Sequence, residues 1–240
     1  MDRNDAAVLN SDINAAEGPL AETIFSRLLT QIYNGQLAAG TELKEAALAE
    51  DYGVSRGPVR DAIRRLQGFQ LVTREPYQRA RVVELTPDFI RQLFEVRMAL
   101  EGMACNLAAQ RMSDDELRRI GEELDAARAR SLAANAAAGA PAEEKAFDFH
   151  ESIMRGCGNE RIVEMLCGDM YHLLRIYRRR SGALPERQGQ PAQEHWQILR
   201  ALQARDGLLA ESLMRAHIGR ANELLLHAQS ATAGQRSNES

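Results

Sequence analysis

The sequence is short of the residues that mark several protein classes. Aromatic residues make up 5% of its 240 residues, and glycine (17) and proline (7) are sparse, a composition that disfavours an all-β sandwich and favours helices. Its three cysteines form no CxxC pair, which is typical of a reducing cytosol. It contains no run of 18 apolar residues, and its first residues lack the basic and apolar regions of a secretory signal. We therefore expect a cytoplasmic protein without a membrane partner.

What the sequence does contain is a basic segment within an acidic chain. The net charge of the whole chain is −4, which disfavours a general polyanion binder. Residues 52–82, however, carry seven arginines against two acidic residues, whereas residues 1–51 carry nine acidic residues against three basic ones. This segment is either a local binding surface for a polyanion or an ordinary solvated face. The predicted secondary structure of the same residues decides between the two.

Residues 20–84 have the pattern of a winged helix-turn-helix. Apolar residues at helical spacing predict helices over 20–34, 44–52 and 55–67, with a glycine turn between the last two. Two short strands, 71–74 and 80–84, are predicted to form a hairpin. On the third helix, Arg56, Arg60 and Arg64 recur every four residues, opposite the apolar residues. Guanidinium groups suit guanine edges and phosphates, so this helix is predicted to read DNA.

Residues 32–41 and 48–66 resemble the GntR family of bacterial transcription regulators. The resemblance implies a double-stranded DNA operator as partner. It also implies DNA contacts on the third helix and at the wing tip. The expected contact residues are Ser55, Arg56, Gly57, Arg60, Arg64, Arg65, Tyr77 and Gln78. Of these, Arg64 and Arg65 are expected to contact phosphates. The sequence departs from the family pattern at Ala46, where the family often has arginine, and at Pro76–Tyr77, where it often has glycine.

The second half reads as helices throughout. The spacing predicts six antiparallel helices over 86–230, with a capping box at 113–116, a frayed or looped stretch at 131–142 and a helix beginning at Pro141. Residues 1–18 and 231–240 are expected to be a disordered arm and tail. The predicted fold is therefore mainly α, with a winged helix-turn-helix over 19–85 followed by an all-α bundle.

This half resembles the FCD ligand-binding domain of the FadR branch of the same family, on residues 93–101, Phe149-His150, Gly158-Asn159, Glu194-His195 and 215–217. The resemblance implies a homodimeric, metabolite-responsive regulator, usually a repressor, with effector contacts at Arg97 and Asn159. Residues 147–150 and 165–168 resemble regulators that accompany propionate (2-methylcitrate cycle) genes. That similarity implies a small carboxylate effector such as 2-methylcitrate.

Three of the five histidines, His150, His195 and His217, lie on apolar faces of separate predicted helices. They are either hydrogen-bonded core residues or ligands of Zn, Ni, Fe or Mn. The resembled domain has an aspartate four residues before the first histidine, where this sequence has Ala146. Asp148 is predicted to face solvent on the opposite side of the helix. Three-histidine coordination and no metal both remain open.

Arg97 is predicted to point inward, and a buried guanidinium needs an anion. Its partner is either Glu101, one turn later, or an effector carboxylate. Two other functions compete with a metabolite-responsive regulator. A metal-dependent hydrolase is disfavoured by the absence of HExxH, P-loop and Ser/His/Asp patterns, so we expect no enzyme. A constitutive architectural DNA binder would be disfavoured by an enclosed polar site in the bundle.

Overall fold

The computed structural model describes residues 20–84, 86–136, 147–182, 184 and 190–238. The chain forms two compact units, Met1–Leu85 and Thr86–Ser240. The expected disordered arm at 1–18, the expected helix start at Pro141 and the Ala146 position lie outside the described residues.

The first unit contains three helices and a small hairpin. The helices are α1 (Leu20–Tyr33), α2 (Glu45–Asp51) and α3 (Arg56–Gly68), and the strands are β1 (Val72–Thr73) and β2 (Arg81–Val82). The strands are antiparallel, with Val72 opposite Val82, and Glu42 adds an isolated bridge to Arg81. This is a winged helix-turn-helix whose strands are two residues long, shorter than the four- and five-residue strands that the sequence predicted.

The core of this unit is built from the predicted apolar faces of α1 and α3. Leu28 of α1 and Val59, Ile63 and Leu66 of α3 are fully buried. On α2, the apolar spacing of the sequence predicts Ala47 in the core, but Ala47 is exposed and Ala49 is buried instead. The contact of α2 with α3 sets which face of this short helix is buried, because seven residues carry too little periodicity to fix it alone.

The second unit is a helical bundle. Its helices are α4 (Pro87–Arg111), α5 (Asp114–Ala136), α6 (Phe149–Gly156), α7 (Glu160–Val163), α8 (Tyr171–Gly182), α9 (Gln190–Gln203) and α10 (Gly207–Asn238). A π-helical turn, Glu164–Asp169, joins α7 to α8, so it interrupts residues 160–179, which apolar spacing predicts as one helix. The long helices α4 and α10 pack along each other. The mainly helical fold predicted from the sequence is confirmed.

Three boundaries of this unit differ from the prediction. Helix α5 continues to Ala136, into the stretch expected to fray or loop. Helix α6 begins at Phe149, because Asp148 caps it. Helix α10 continues to Asn238, so the predicted disordered tail is wrong for 231–238. Among the described residues, no helix has both the length and the apolar character needed to cross a membrane.

The predicted capping box at the start of α5 is formed. The Ser113 backbone N–H donates to Glu116 Oε2 at 2.8 Å, and the Glu116 N–H donates to Ser113 Oγ at 3.3 Å. These two bonds satisfy N–H groups that have no partner inside the helix.

We expect Ser113→Ala to lower the free energy of unfolding by about 1 kcal/mol, because one helix N–H loses its acceptor. Urea denaturation of the purified protein measures this change. Ser212→Ala, at an exposed interior position of α10, is the matched control and should have little effect. Equal losses in the two variants would contradict the capping role.

Candidate DNA-reading helix and histidine centre

The outer face of α3 presents a row of arginines. Arg56, Arg60 and Arg64 are exposed, whereas Val59 and Ile63 between them are fully buried. Arg64 lies 3.9 Å from the Asp61 carboxylate. Arg56 and Arg60 form no ion pair with any residue that the structure describes, so their guanidinium groups are available to a ligand. The periodicity of the sequence placed these three side chains correctly on the solvent face.

The start of α3 leaves space beside its exposed arginines. Ser55 is the N-cap residue, but its side chain makes no capping hydrogen bond. A Cβ on Gly57 would meet nothing closer than Ser55 Oγ at 4.0 Å. This backbone is therefore open to close approach by a partner.

Arg65 is placed differently from the other arginines. It forms an ion pair with Glu22 of α1, and its guanidinium lies over the Phe25 ring, 4.1 Å from the centroid. This side chain therefore ties α3 to α1. The expected phosphate contact at Arg65 would require it to leave both partners, and we exclude it from the DNA surface proposed below.

The wing tip contains a strained residue. Tyr77 is fully exposed and has a φ of 63°, in the left-handed region that glycine adopts at lower cost. The turn is closed by the Gln78 N–H, which donates to the Glu75 carbonyl at 3.0 Å. The glycine common in the resembled family would fit this backbone without strain, so the departure at Tyr77 keeps the turn and adds an exposed aromatic ring.

In the second unit, three histidines from three helices converge. His150 (α6), His195 (α9) and His217 (α10) each bring a ring nitrogen within 4.8 Å of the others. His150 and His217 are buried, and His195 stacks on the Phe149 ring with centroids 4.2 Å apart. The sequence placed each of them on an inward face, and the packing of the bundle brings them together. We call these three side chains the histidine centre.

Two buried carboxylates orient the centre. His150 Nδ1 lies 2.6 Å from Glu101 Oε2, and His217 Nδ1 lies 2.6 Å from Glu194 Oε2. Burial, together with the nearby charge of Arg178, lowers the pKa of His150 to about 4. Burial alone would raise the pKa of Glu101, but Arg97, His150 and Arg178 hold it well below its usual range. A neutral His150 therefore donates its Nδ1–H to an ionised Glu101.

In a neutral imidazole whose Nδ1 is protonated, Nε2 carries the lone pair. The Nε2 atoms of His150 and His217 face each other at 3.2 Å, an arrangement that two lone pairs disfavour unless a proton or cation lies between them. A tetrahedral zinc ion with Zn–N bonds of about 2.0–2.1 Å separates neighbouring nitrogens by roughly 3.3 Å. Carboxylates that hold Nδ1–H are also the usual second shell of histidine-bound metals. The residues present therefore fit a divalent metal held by three imidazoles.

Asp148 does not face solvent as predicted. Its Oδ1 accepts from the Glu151 N–H at 3.1 Å, and its Oδ2 accepts from Arg178 Nη1 at 2.8 Å. The prediction is wrong because α6 begins after Asp148, so the helical phase used to place the side chain does not apply to it. Asp148 caps α6 and is not part of the histidine centre.

Arg97 pairs with Glu101, the partner one helical turn later that the sequence analysis considered. It is 2% exposed, and its Nε donates to Glu101 Oε1 at 2.8 Å. Its guanidinium also lies over the Phe94 ring, 4.7 Å from the centroid. Among the described residues, Nε is the only nitrogen of this guanidinium that makes a hydrogen bond. Nη1 and Nη2 therefore remain available to an anion.

Asn159, expected at the effector, has a structural task. Its Oδ1 accepts from the backbone N–H groups of Arg161 and Ile162, at 3.1 and 3.3 Å, and so caps α7. The carboxamide oxygen is therefore already used, which leaves only the amide nitrogen for a ligand.

Sequence reasoning missed Arg178. Its signal was present in α8, where Leu173, Leu174, Tyr177 and Ser181 are buried and place position 178 on the same inward face. A run of three arginines at 178–180 hid it, because such a run usually indicates a solvated surface.

Comparison with known proteins agrees with this architecture. The profile of the FCD domain matches residues 92–220, and that of the bacterial regulatory proteins of the gntR family matches residues 20–82. The Escherichia coli HTH-type transcriptional repressor GlaR is 28% identical over 206 residues, which cover 80% of this chain and 89% of that protein. The match to the Bacillus subtilis regulator YdhC, also 28% identical, spans 45% of that protein.

Solved structures show the same fold. Escherichia coli McbR/YncC superposes with a TM-score of 0.61 at 21% identity, over 89% of this chain and 99% of that one. The matched family and the relatives named here are transcription regulators, not enzymes. Because the two profiles together span both units, this chain belongs to the GntR family of bacterial regulatory proteins, with a gntR-type helix-turn-helix unit followed by an FCD domain.

Proposed function

We propose that this regulator is a homodimeric repressor that binds a pseudo-palindromic operator and responds to a small carboxylate bound beside a divalent metal. The observation that carries the proposal is the histidine centre. The Nε2 atoms of His150 and His217 lie 3.2 Å apart inside the bundle, and buried carboxylates behind both rings hold them there. Such an arrangement is costly in a purely structural core and useful around a cation.

The DNA side of the proposal rests on α3. Arg56 and Arg60 are exposed and unpaired within the described residues, and the guanidinium fork matches the O6 and N7 acceptors of guanine. Arg64 is suited to a phosphate, with Ser55 and Gly57 at the helix start. Tyr77 and Gln78 at the wing tip complete the surface. One recognition helix covers only a few base pairs, so we expect two copies to act together.

The effector side rests on Arg97. The free Nη1 and Nη2 atoms of this buried guanidinium suit a carboxylate, and Glu101 connects the same side chain to His150. A metal held by His150, His195 and His217 would supply positive charge and open coordination positions for a second oxygen ligand. The resemblance of residues 147–150 and 165–168 to regulators of propionate genes makes 2-methylcitrate the first acid to test.

The sign of regulation is taken from the relatives. GlaR is named as a repressor, and so is a probable D-xylose utilization operon repressor from Paenarthrobacter nicotinovorans, 27% identical over 208 residues. An architectural DNA binder that only dimerises would need no enclosed polar centre. The buried charges around the histidine centre therefore favour a ligand-responsive protein.

Arg56→Ala and Arg60→Ala should each weaken operator binding by about 1–3 kcal/mol, because each loses contacts to a guanine edge. Arg64→Ala should weaken operator and random DNA alike, as loss of a phosphate contact does. Fluorescence anisotropy on both DNAs at one salt concentration measures these effects. Arg118→Ala, an exposed arginine of α5, is the control. An equal loss on operator and random DNA for Arg56→Ala would refute base reading.

Divalent metal should raise the melting temperature of chelator-treated protein, since a ligand specific to the folded state stabilises it by about 2.7 kcal/mol at a hundredfold excess over Kd. Differential scanning fluorimetry with Zn²⁺, Ni²⁺ and Mn²⁺ measures the rise. His217→Ala should abolish it, and Glu194→Gln should weaken metal affinity by about 10–100-fold. The exposed His227 provides the control, His227→Ala. A wild-type protein indifferent to all three metals would exclude the metal.

2-Methylcitrate, with metal supplied, should release the protein from its operator through a coupling of about 1–3 kcal/mol. Arg97→Ala should lose this response and keep operator binding, because the DNA-reading helix belongs to the other unit. Arg97→Lys keeps the charge without the planar fork and should restore the response only in part. Titration of the protein–operator complex tests this, and no release by any di- or tricarboxylate would remove the effector proposal while leaving DNA binding intact.

The protein should be a dimer at micromolar concentration, since two recognition helices are needed for useful specificity. Multi-angle light scattering on the full chain should give about twice the monomer mass of 26.7 kDa. A monomer under these conditions, with operator affinity retained, would contradict the pseudo-palindromic operator.

A further inference from the structure

A second arginine lies beside the histidine centre, on a helix that carries none of its ligands. Arg178 of α8 reaches Asp148 Oδ2 through Nη1 at 2.8 Å, and its Nη2 lies 3.6 Å from Glu101 Oε1. That oxygen already accepts from Arg97 Nε. The two guanidinium groups therefore flank one carboxylate, and the other oxygen of that carboxylate holds His150.

Arg178 is only partly satisfied by these partners. Its Nε and Nη2 are buried and donate to no acceptor among the described residues, and 3.6 Å to Glu101 is too long for a hydrogen bond. Buried donors of this kind are rare in folded proteins and call for a partner such as an ion or ligand. Nε and Nη2 together form the side-on edge of the guanidinium, the edge that grips a carboxylate with two parallel bonds.

The charges around the centre point to the same ligand. With neutral imidazoles, the charged side chains in contact with the centre or with each other cancel: Arg97, Arg178 and Arg220 against Glu101, Asp148 and Glu194. A divalent metal would leave this buried site with two uncompensated positive charges. A ligand with one carboxylate neutralises half of that charge, whereas a dicarboxylate neutralises all of it.

We propose that Arg178 is a second carboxylate-binding residue of the effector site, and that it selects ligands with at least two carboxylates over monocarboxylates. The inference rests on the proposed function, since it assigns one carboxylate to Arg97 and the metal and another to the free edge of Arg178. Both free nitrogens are shielded from solvent. A ligand therefore reaches them only by moving this side chain or α8, so binding is coupled to one of these two movements.

Calorimetric titration of the full-length, Zn²⁺-supplied protein with citrate, succinate and acetate tests this assignment. The wild type should bind citrate and succinate more tightly than acetate. Arg178→Lys keeps the charge beside Asp148 but lacks the two-donor edge. It should weaken citrate and succinate binding by about tenfold or more while leaving acetate within about twofold. Arg178→Met should do the same or more, and thermal melts establish that each variant is folded.

Two controls separate direct contact from an effect on α6. Asp148→Asn removes the same ion pair without touching the free edge, and Arg175→Met changes the arginine one turn earlier on α8; both should leave the citrate-to-acetate ratio near the wild-type value. An unchanged ratio in Arg178→Lys, or an equal loss in Asp148→Asn, would overturn the role of Arg178 alone. Wild-type protein that binds none of the three acids would overturn the proposed effector function, and this inference with it.

Discussion

The second unit depends on a buried carboxylate at Glu101. This side chain is 1% exposed, and burial of a lone carboxylate in a helical core would be very unfavourable. Three groups offset that cost: Arg97 on the same helix, His150 from α6 and Arg178 from α8. Glu101 therefore fixes three helices against one another, and the positions of Arg97, Arg178 and His150 follow from it.

Buried carboxylates and ring stacking orient the three histidines. Glu194 repeats the role of Glu101 for His217, and Arg220 compensates its charge. His195 stacks on the Phe149 ring, with the ring planes 20° apart. Carboxylate hydrogen bonds and ring stacking thus orient the centre before any ligand arrives.

In the first unit, the functional candidates are exposed arginines and not buried charges. The opposite face of α3 is apolar and buried, which keeps these arginines at the surface. Arg56 and Arg60 have no partner among the described residues. Where an arginine of this helix does find a partner, as Arg65 does with Glu22 and Phe25, it serves the fold. The difference between Arg64 and Arg65 is one residue of helical phase, about 100°, which turns one side chain toward solvent and the next toward α1.

The sequence by itself determined which faces of most helices are buried, the short α2 excepted. Periodic apolar residues placed Arg56, Arg60 and Arg64 outward and Arg97, His150, His195 and His217 inward, and the capping box located the start of α5. Local pairs such as Arg97 and Glu101 could also be predicted from the sequence, because residues four apart on a helix are neighbours.

Only the tertiary structure decided which inward faces meet. His150 and Glu101 are 49 residues apart, and Arg178 and Asp148 are 30 apart. The position of a helix end also changed the role of one residue. Because α6 begins at Phe149 and not at Pro141, Asp148 caps the helix. Periodicity fixes the direction in which a side chain points from its own helix. The residue that it contacts depends on how whole helices pack, and that packing is set by the sum of many contacts between residues distant in sequence.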